Sequence, residues 1–219
     1  MEKPDILKPI AGSLVRPLHD GFVSGRRVQV LSTLLAQMLP ADLSSGLDVG
    51  CGDGAICKQI ERLHPGIAFS GVDVLVRPDA LIPATRFDGK VLPFPDYAFD
   101  FCLLVDVLHH TEHQRQLLSE CLRVSKYFVL IKDHLCETAF DDVRLRFMDW
   151  VGNKAHGVHL PYLYLSGNDW RNLYEECQAE ESETIDKLGL YPAPATWLFD
   201  GSLHFISKVV KRVTNTAER

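Results

Sequence analysis

Apolar residues in residues 26–39 recur at helical spacing (Val28, Leu31, Leu34, Leu35, Met38), and Leu39-Pro40 ends the run. Short, nearly continuous apolar stretches follow at residues 47–49, 67–74, 84–87, 99–105 and 127–132, and each reads as a strand. Helical patterns separate them at residues 54–63, with Ala55, Ile56 and Ile60 inward, and at about 112–124; residues 77–82 read as a short helix or loop. Strands that are apolar on both sides and alternate with helices predict a parallel sheet covered on both faces. The expected fold class is therefore α/β, a doubly wound and mostly parallel sheet.

The pattern changes beyond the fifth strand. Residues 140–151 form an amphipathic helix bearing Phe147 and Trp150, and residues 152–166 are irregular and aromatic, with His156, His159, Tyr162 and Tyr164. A further helix is expected over 168–177, with Ser166 or Asn168 as its N-cap. Residues 180–187 and 204–210 read as an antiparallel closing pair, which brings the sheet to seven strands. The expected layout is one domain over 1–219, made of four parts. These are an N-terminal cap (1–42), a ligand-binding core (43–135), a lid insertion (136–178) and closing strands (179–219).

Charge and composition narrow the partners. A net charge of −6 disfavours a nucleic-acid backbone, because phosphate binding needs clustered Lys and Arg. A small-molecule substrate and a monomer or homodimer are expected. The six cysteines contain no CxxC pair and no zinc-type His spacing, so reduced thiols and no metal are expected. No signal-peptide core precedes Asp5 and no apolar run reaches the ~20 residues of a membrane span. The expectation is a cytoplasmic protein that engages no membrane.

The chemistry gathers at strand ends. Leu47-Asp48-Val49-Gly50-Cys51-Gly52-Asp53-Gly54 is a strand running into a glycine-packed turn, where the backbone can approach a ligand closely. Gly50-x-Gly52-x-x-Ala55 with Asp73 satisfies the dinucleotide fingerprint, which keeps an NAD-linked oxidoreductase open. Asp48 argues the other way: a carboxylate there repels a pyrophosphate and suits a ligand with a cationic amino-acid tail. Asp73, Asp88, Asp106 and Asp133 fall at or just past the ends of strands two to five. That is the edge where doubly wound sheets bind ligands.

Four blocks carry a family resemblance, in order and spacing. They are the glycine turn just quoted, Gly71-Val72-Asp73, Phe87-Asp88-Gly89-x-x-Leu92-Pro93-Phe94-Pro95-Asp96-x-x-Phe99-Asp100, and Asp106-Val107-Leu108-His109-His110. Residues 43–133 resemble the core of a class I S-adenosylmethionine-dependent methyltransferase of the type 11, small-molecule kind. The resemblance implies a Rossmann-like methyltransferase sheet with S-adenosyl-L-methionine as cofactor. Asp48 and the backbone of Gly50 and Gly52 would hold its methionine part. Asp73, with Val74 beside it, would take the ribose hydroxyls, and Asp88 and Gly89 the adenine. Asp106 and Val107 would line the floor near the sulfonium.

Function then reads as methyl transfer to an oxygen or nitrogen of a small, apolar or aromatic metabolite. The alternatives are a non-catalytic S-adenosylmethionine-binding partner subunit and, more remotely, the oxidoreductase. His110 and His134 are the candidate general bases, since imidazole titrates near neutrality. His109, Trp150, His156, His159, Tyr162 and Tyr164 are the candidate substrate contacts.

Overall fold

The computed structural model of the protein describes residues 24–153, 161–193 and 195–212. Seven strands form one sheet: β1 (Ser45–Val49), β2 (Ala68–Asp73), β3 (Ala84–Arg86), β4 (Phe99–Val105), β5 (Ser125–His134), β6 (Ala179–Ile185) and β7 (His204–Lys211). Their order is β3-β2-β1-β4-β5-β7-β6. The first five run parallel; β7 pairs antiparallel with both β5 and β6. The described helices are α1 (Ser24–Gln37), α2 (Ala55–Leu63), α3 (Gln114–Val124), α4 (Ala139–Asn153), α5 (Gly167–Glu176) and α6 (Thr196–Phe199).

The order of the parallel strands reverses between β1 and β4, and that switch point opens the ligand crevice of a doubly wound sheet. Alternation along the strands explains why both faces are apolar. Cys102 and Leu104 of β4, with Val129 and Ile131 of β5, pack on one side against Leu118 and Leu122 of α3 and Trp170 of α5. Phe101 and Leu103, with Phe128 and Leu130, pack on the other against Leu31 and Leu35 of α1 and Ile60 of α2. Exposed Glu180, Glu181 and Glu183 guard the β6 edge against stray pairing.

Asp100 fixes the entry to β4. Its carboxylate accepts from the Ser44 and Ser45 amides (2.8 and 2.9 Å), Ser44 Oγ (2.8 Å) and Lys126 Nζ (2.9 Å). Burial opposes its charge, but these donors outweigh burial and hold the carboxyl well below its ordinary value.

Departures from the sequence expectation have physical causes. Strand five extends to His134 rather than stopping at Lys132, because Asp133 and His134 find partners opposite Phe205 and His204 of β7. Residues 77–82 form turns without a helix, and Leu108–His110 is a 3-10 turn preceding α3. Ser166, not Asn168, caps α5, in a reciprocal box with Asp169. The short helix α6 was not anticipated. Most of the expected cap, residues 1–23, lies outside the described residues. All six cysteines are free thiols. Among the described residues no helix is long and apolar enough to cross a membrane.

Candidate functional site

The glycine turn is built by backbone geometry. Gly50 has φ +76°, and a Cβ there would stand 2.6 Å from Val107 Cγ2, so only glycine lets β1 turn against the end of β4. The next glycine, Gly52, has φ +55° and donates its amide to Asp73 Oδ2 (2.8 Å), while Asp73 Oδ1 accepts from Leu75 N (2.9 Å). Asp73 thereby links the turn after β1 to the end of β2. Asp88 Oδ1 accepts from the amides of Lys90 and Val91 (2.8 Å each), which hold its carboxyl below the ordinary value. Gly89 follows with φ +80° beside Val74. Between these two carboxylates, Val74 and Val91 expose aliphatic surface to solvent.

Asp48 stands beneath the turn, 5% exposed, and accepts from Cys57 Sγ at 3.0 Å. Burial, reinforced by Asp73 and Asp53 against the thiol hydrogen bond, raises its pKa to about 7.

One step along the edge, Asp106 has a left-handed backbone (φ +55°) and pairs with Lys132 of β5 and Arg27 of α1. Burial works against its charge, but Lys132 and Arg27 hold the carboxyl well below its ordinary value. His109 is buried with Nδ1 2.6 Å from Asp133 Oδ1 and Nε2 facing Asp149 Oδ2 at 3.3 Å. Burial disfavours its imidazolium, yet Asp133 and Asp149 prevail and lift the pKa to about 10. His134 Nδ1 lies 3.1 Å from His204 Nδ1, and His204 Nε2 lies 2.9 Å from the Phe199 carbonyl. Burial and Lys132 press both of these histidines well below their ordinary pKa. Burial and His109 lower His110 to about 4, and its Nδ1 has no hydrogen-bond partner among the described residues.

The insertion covers this network. Tyr164 Oη donates to Asp149 Oδ2 at 2.5 Å, and its ring lies over His109 with centroids 5.4 Å apart. Leu163 N donates to the His109 carbonyl (3.2 Å), and the Gln114 amide bridges the Leu108 and Leu163 carbonyls. Tyr162 adjoins Tyr164 and carries the Arg146 guanidinium 4.9 Å above its ring. Trp150 stacks beside Phe147 on the outer side of α4, half-exposed. The remaining lid tryptophan, Trp170, belongs to the core, packed on Phe205 with Nε1 donating to the His134 carbonyl.

Of the candidates read from sequence, the glycine turn, Asp73, Asp88, Asp106 and Val107 share the carboxyl edge, and His109, His110, His134 and Tyr164 adjoin it. His156 and His159 lie outside the described residues. Sequence reasoning places Asp133 on the edge without a partner and does not reach Arg27, Lys132, Asp149 or His204. Two signals were available. Lys132 is a cation closing the apolar run of residues 127–131, and Asp149 sits four residues after the fully buried Leu145, on the same side of α4.

Residues 47–127 match the family model described as "Methyltransferase domain". This segment is a class I methyltransferase domain. S-adenosylmethionine is the cofactor that the family and fold imply, and the edge fits it. Two acceptor-only carboxylates, Asp73 and Asp88, stand on the edge, the exposed aliphatic side chains of Val74 and Val91 adjoin them, and Gly50 leaves the turn without a Cβ. A Schizosaccharomyces pombe tRNA (carboxymethyluridine(34)-5-O)-methyltransferase is 34% identical over 87 residues, 36% of this chain and 36% of that one. The Cupriavidus pinatubonensis ubiquinone/menaquinone biosynthesis C-methyltransferase is 25% identical over 139 residues, 55% of this chain and 57% of that one. The chain thus spans about a third to just over half the length of these relatives. A Haloferax volcanii methyltransferase, solved with the Trm112 methyltransferase activator, shares the fold of the methyltransferase domain and its flanking elements. Its TM-score is 0.64 at 14% identity, over 93% of this chain and 96% of that one.

Proposed function

We propose that this chain transfers the methyl group of S-adenosylmethionine to an oxygen or nitrogen of a small, largely apolar or aromatic acceptor. The observation that carries the reading is the convergence, on one sheet edge, of the glycine turn, Asp73 and Asp88 with the polar recess of Asp106, His109, His134 and Asp149, where the Tyr164 ring lies over His109. The cofactor, when bound, supplies a carbon already activated by its sulfonium. The protein's part is alignment and exclusion of water, where proximity supplies much of the rate. Asp73 would orient the ribose and Asp88 the adenine amine, with Val74 and Val91 against the ring. Tyr162 and Tyr164 would form the acceptor's wall.

His110 is the residue we assign to the acceptor's proton. Its lowered pKa keeps it unprotonated at neutral pH, and its Nδ1 is uncommitted among the described residues. His134, the other candidate base, is 5% exposed and engaged with His204, which suits it to holding the network rather than receiving the acceptor. Lys132 and Arg27 are cations at the recess, but both are paired with Asp106 and form no open basic surface. Together with the net charge of −6, this favours a small acceptor over RNA.

Two measurements test the reading. S-adenosylmethionine and its demethylated product at a hundred times their dissociation constants should each stabilise the protein by ~2.7 kcal/mol, whereas NAD should not. Methyl transfer from labelled cofactor should then appear on a panel of phenols and aromatic amines. Stabilisation by NAD alone, or transfer only to RNA or protein, would refute it.

A further inference from the structure

The lid and the sheet edge meet at three buried side chains whose ligating atoms all lie within 4.8 Å of one another. We propose that His109 Nε2, His134 Nε2 and the Asp149 carboxylate form a binding site for one divalent first-row transition-metal ion. The proposal stands on side-chain geometry alone and does not depend on which acceptor the enzyme uses.

Hydrogen-bond chemistry assigns the protons. The Phe199 carbonyl can only accept, so His204 Nε2, 2.9 Å away, carries the hydrogen. In a neutral His204 the Nδ1 is then a lone pair, which meets Lys132 Nζ at 3.3 Å and His134 Nδ1 at 3.1 Å, and His134 Nδ1 donates because two lone pairs at that separation would repel. That leaves His134 Nε2 as a lone pair. It faces Asp106 Oδ1 at 3.6 Å and Asp149 Oδ1 at 4.0 Å, acceptor turned toward acceptors. His109 gives its Nδ1–H to Asp133 at 2.6 Å and turns Nε2 toward Asp149 Oδ2 at 3.3 Å, and the proton held between those two atoms is the one a bound metal ion would displace. The three residues are 2%, 5% and 6% exposed, so bulk water does not compete for their ligating atoms.

The distances fit an ion. Ligand atoms ~2.1 Å from a metal at angles of 90–120° stand roughly 3.0–3.6 Å apart. His109 Nε2 to Asp149 Oδ2 is 3.3 Å, already in that range, and His134 Nε2 to Asp149 Oδ1 at 4.0 Å needs only a few tenths of an ångström of closure. Outer partners are also in place. Asp133 buttresses His109, His204 buttresses His134, and the Tyr164 hydroxyl fixes Asp149, the arrangement that orients metal-binding imidazoles and carboxylates. Asp106 is not a ligand, because Lys132 and Arg27 take its two oxygens. Two imidazoles and a carboxylate suit zinc, cobalt, iron or manganese rather than magnesium or calcium, and leave an open position. Such an ion would staple α4 of the lid to the ends of β4 and β5.

The full chain, stripped with a chelator, would be titrated with Co²⁺ and Zn²⁺ and desalted before elemental analysis. An equimolar retained ion, with X-ray absorption of the zinc-loaded protein showing two imidazole nitrogens, is the expected result. His109→Ala and Asp149→Asn should weaken affinity at least tenfold, and Asp133→Asn by roughly 10–100-fold. Circular dichroism would confirm that each variant is folded; should one not fold, the absorption spectrum of the unaltered protein decides. Substoichiometric metal after desalting, a spectrum without two imidazoles, or affinity unchanged in the folded variants would overturn the proposal.

Discussion

Replacing Asp48 by asparagine should make this protein more stable, by an amount that grows as pH rises from about 5 to about 7. The carboxyl is 5% exposed under the glycine turn, its one hydrogen bond comes from the Cys57 thiol, and its pKa is about 7. An unfolded chain ionises the same group near pH ~3.9. Between those values the folded protein holds a proton that the unfolded chain has released, so stability falls as pH rises, by about 1.4 kcal/mol per unit. The accumulated loss is about 4 kcal/mol once pH exceeds 7. Asparagine keeps the shape and removes the titration, at a cost of about 1 kcal/mol for its extra buried N–H. Urea unfolding should therefore find Asp48→Asn about equal to the parent near pH ~4.5 and about 3 kcal/mol above it near pH ~8. In thermal melts that difference corresponds to roughly 6–12 °C for a chain of this length. Parallel stability curves for the two proteins across that range would refute the burial argument.

Further outcomes follow from the same geometry. Asp73→Ala removes the acceptor we assign to two ribose hydroxyls and should cost about 3 kcal/mol of S-adenosylmethionine affinity, on the order of a hundredfold, with the fold intact; unchanged calorimetric binding would exclude the ribose assignment. Gly50→Ala places a Cβ against Val107 at a left-handed φ and should destabilise by about 1–3 kcal/mol. Adding Val107→Ala should recover only the clash and not the backbone strain, so full rescue by the double variant in denaturant melts would show the strain argument to be wrong. Asp100 has a depressed pKa, so its contribution is present above the ordinary carboxylate pKa and lost as pH falls below it. Asp100→Ala should cost about 2–4 kcal/mol at neutral pH and much less near pH ~2, and an equal cost at both would count against the reasoning. Tyr164→Phe should lose about 1–2 kcal/mol, read from melts, by leaving Asp149 one donor short.

What the sequence disclosed follows from how local its signals are. The glycine turn, the five apolar strands and the acids at their ends are all encoded within a few residues, and they sit where the pattern placed them. The recess was less legible, because it is assembled from five separate elements. Arg27 lies on a helix whose pattern speaks only of its buried face, His204 is the first residue of β7, and Asp149 reaches the site from α4. Nothing near Asp149 in sequence announces that His109 and His134 are its neighbours. The extension of β5 through Asp133 and His134 was likewise hidden, since polar residues at a strand end are ordered there only by pairing with β7. Composition showed no metal-type spacing for the same reason: His109, His134 and Asp149 are far apart in the chain.

The place of β7 inside the sheet also bears on how the molecule is completed. It is synthesised after β6 yet lies between β6 and β5, so β6 has no strand to pair with until its successor arrives. Until then the long inner margin of β5 is an open edge, able to recruit a strand from another chain. His204 opens β7, so the same docking event that seals the margin also delivers the imidazole that orients His134. Assembly of the reactive recess is thus deferred to the final insertion, and a chain stalled before it would be both adhesive and inert.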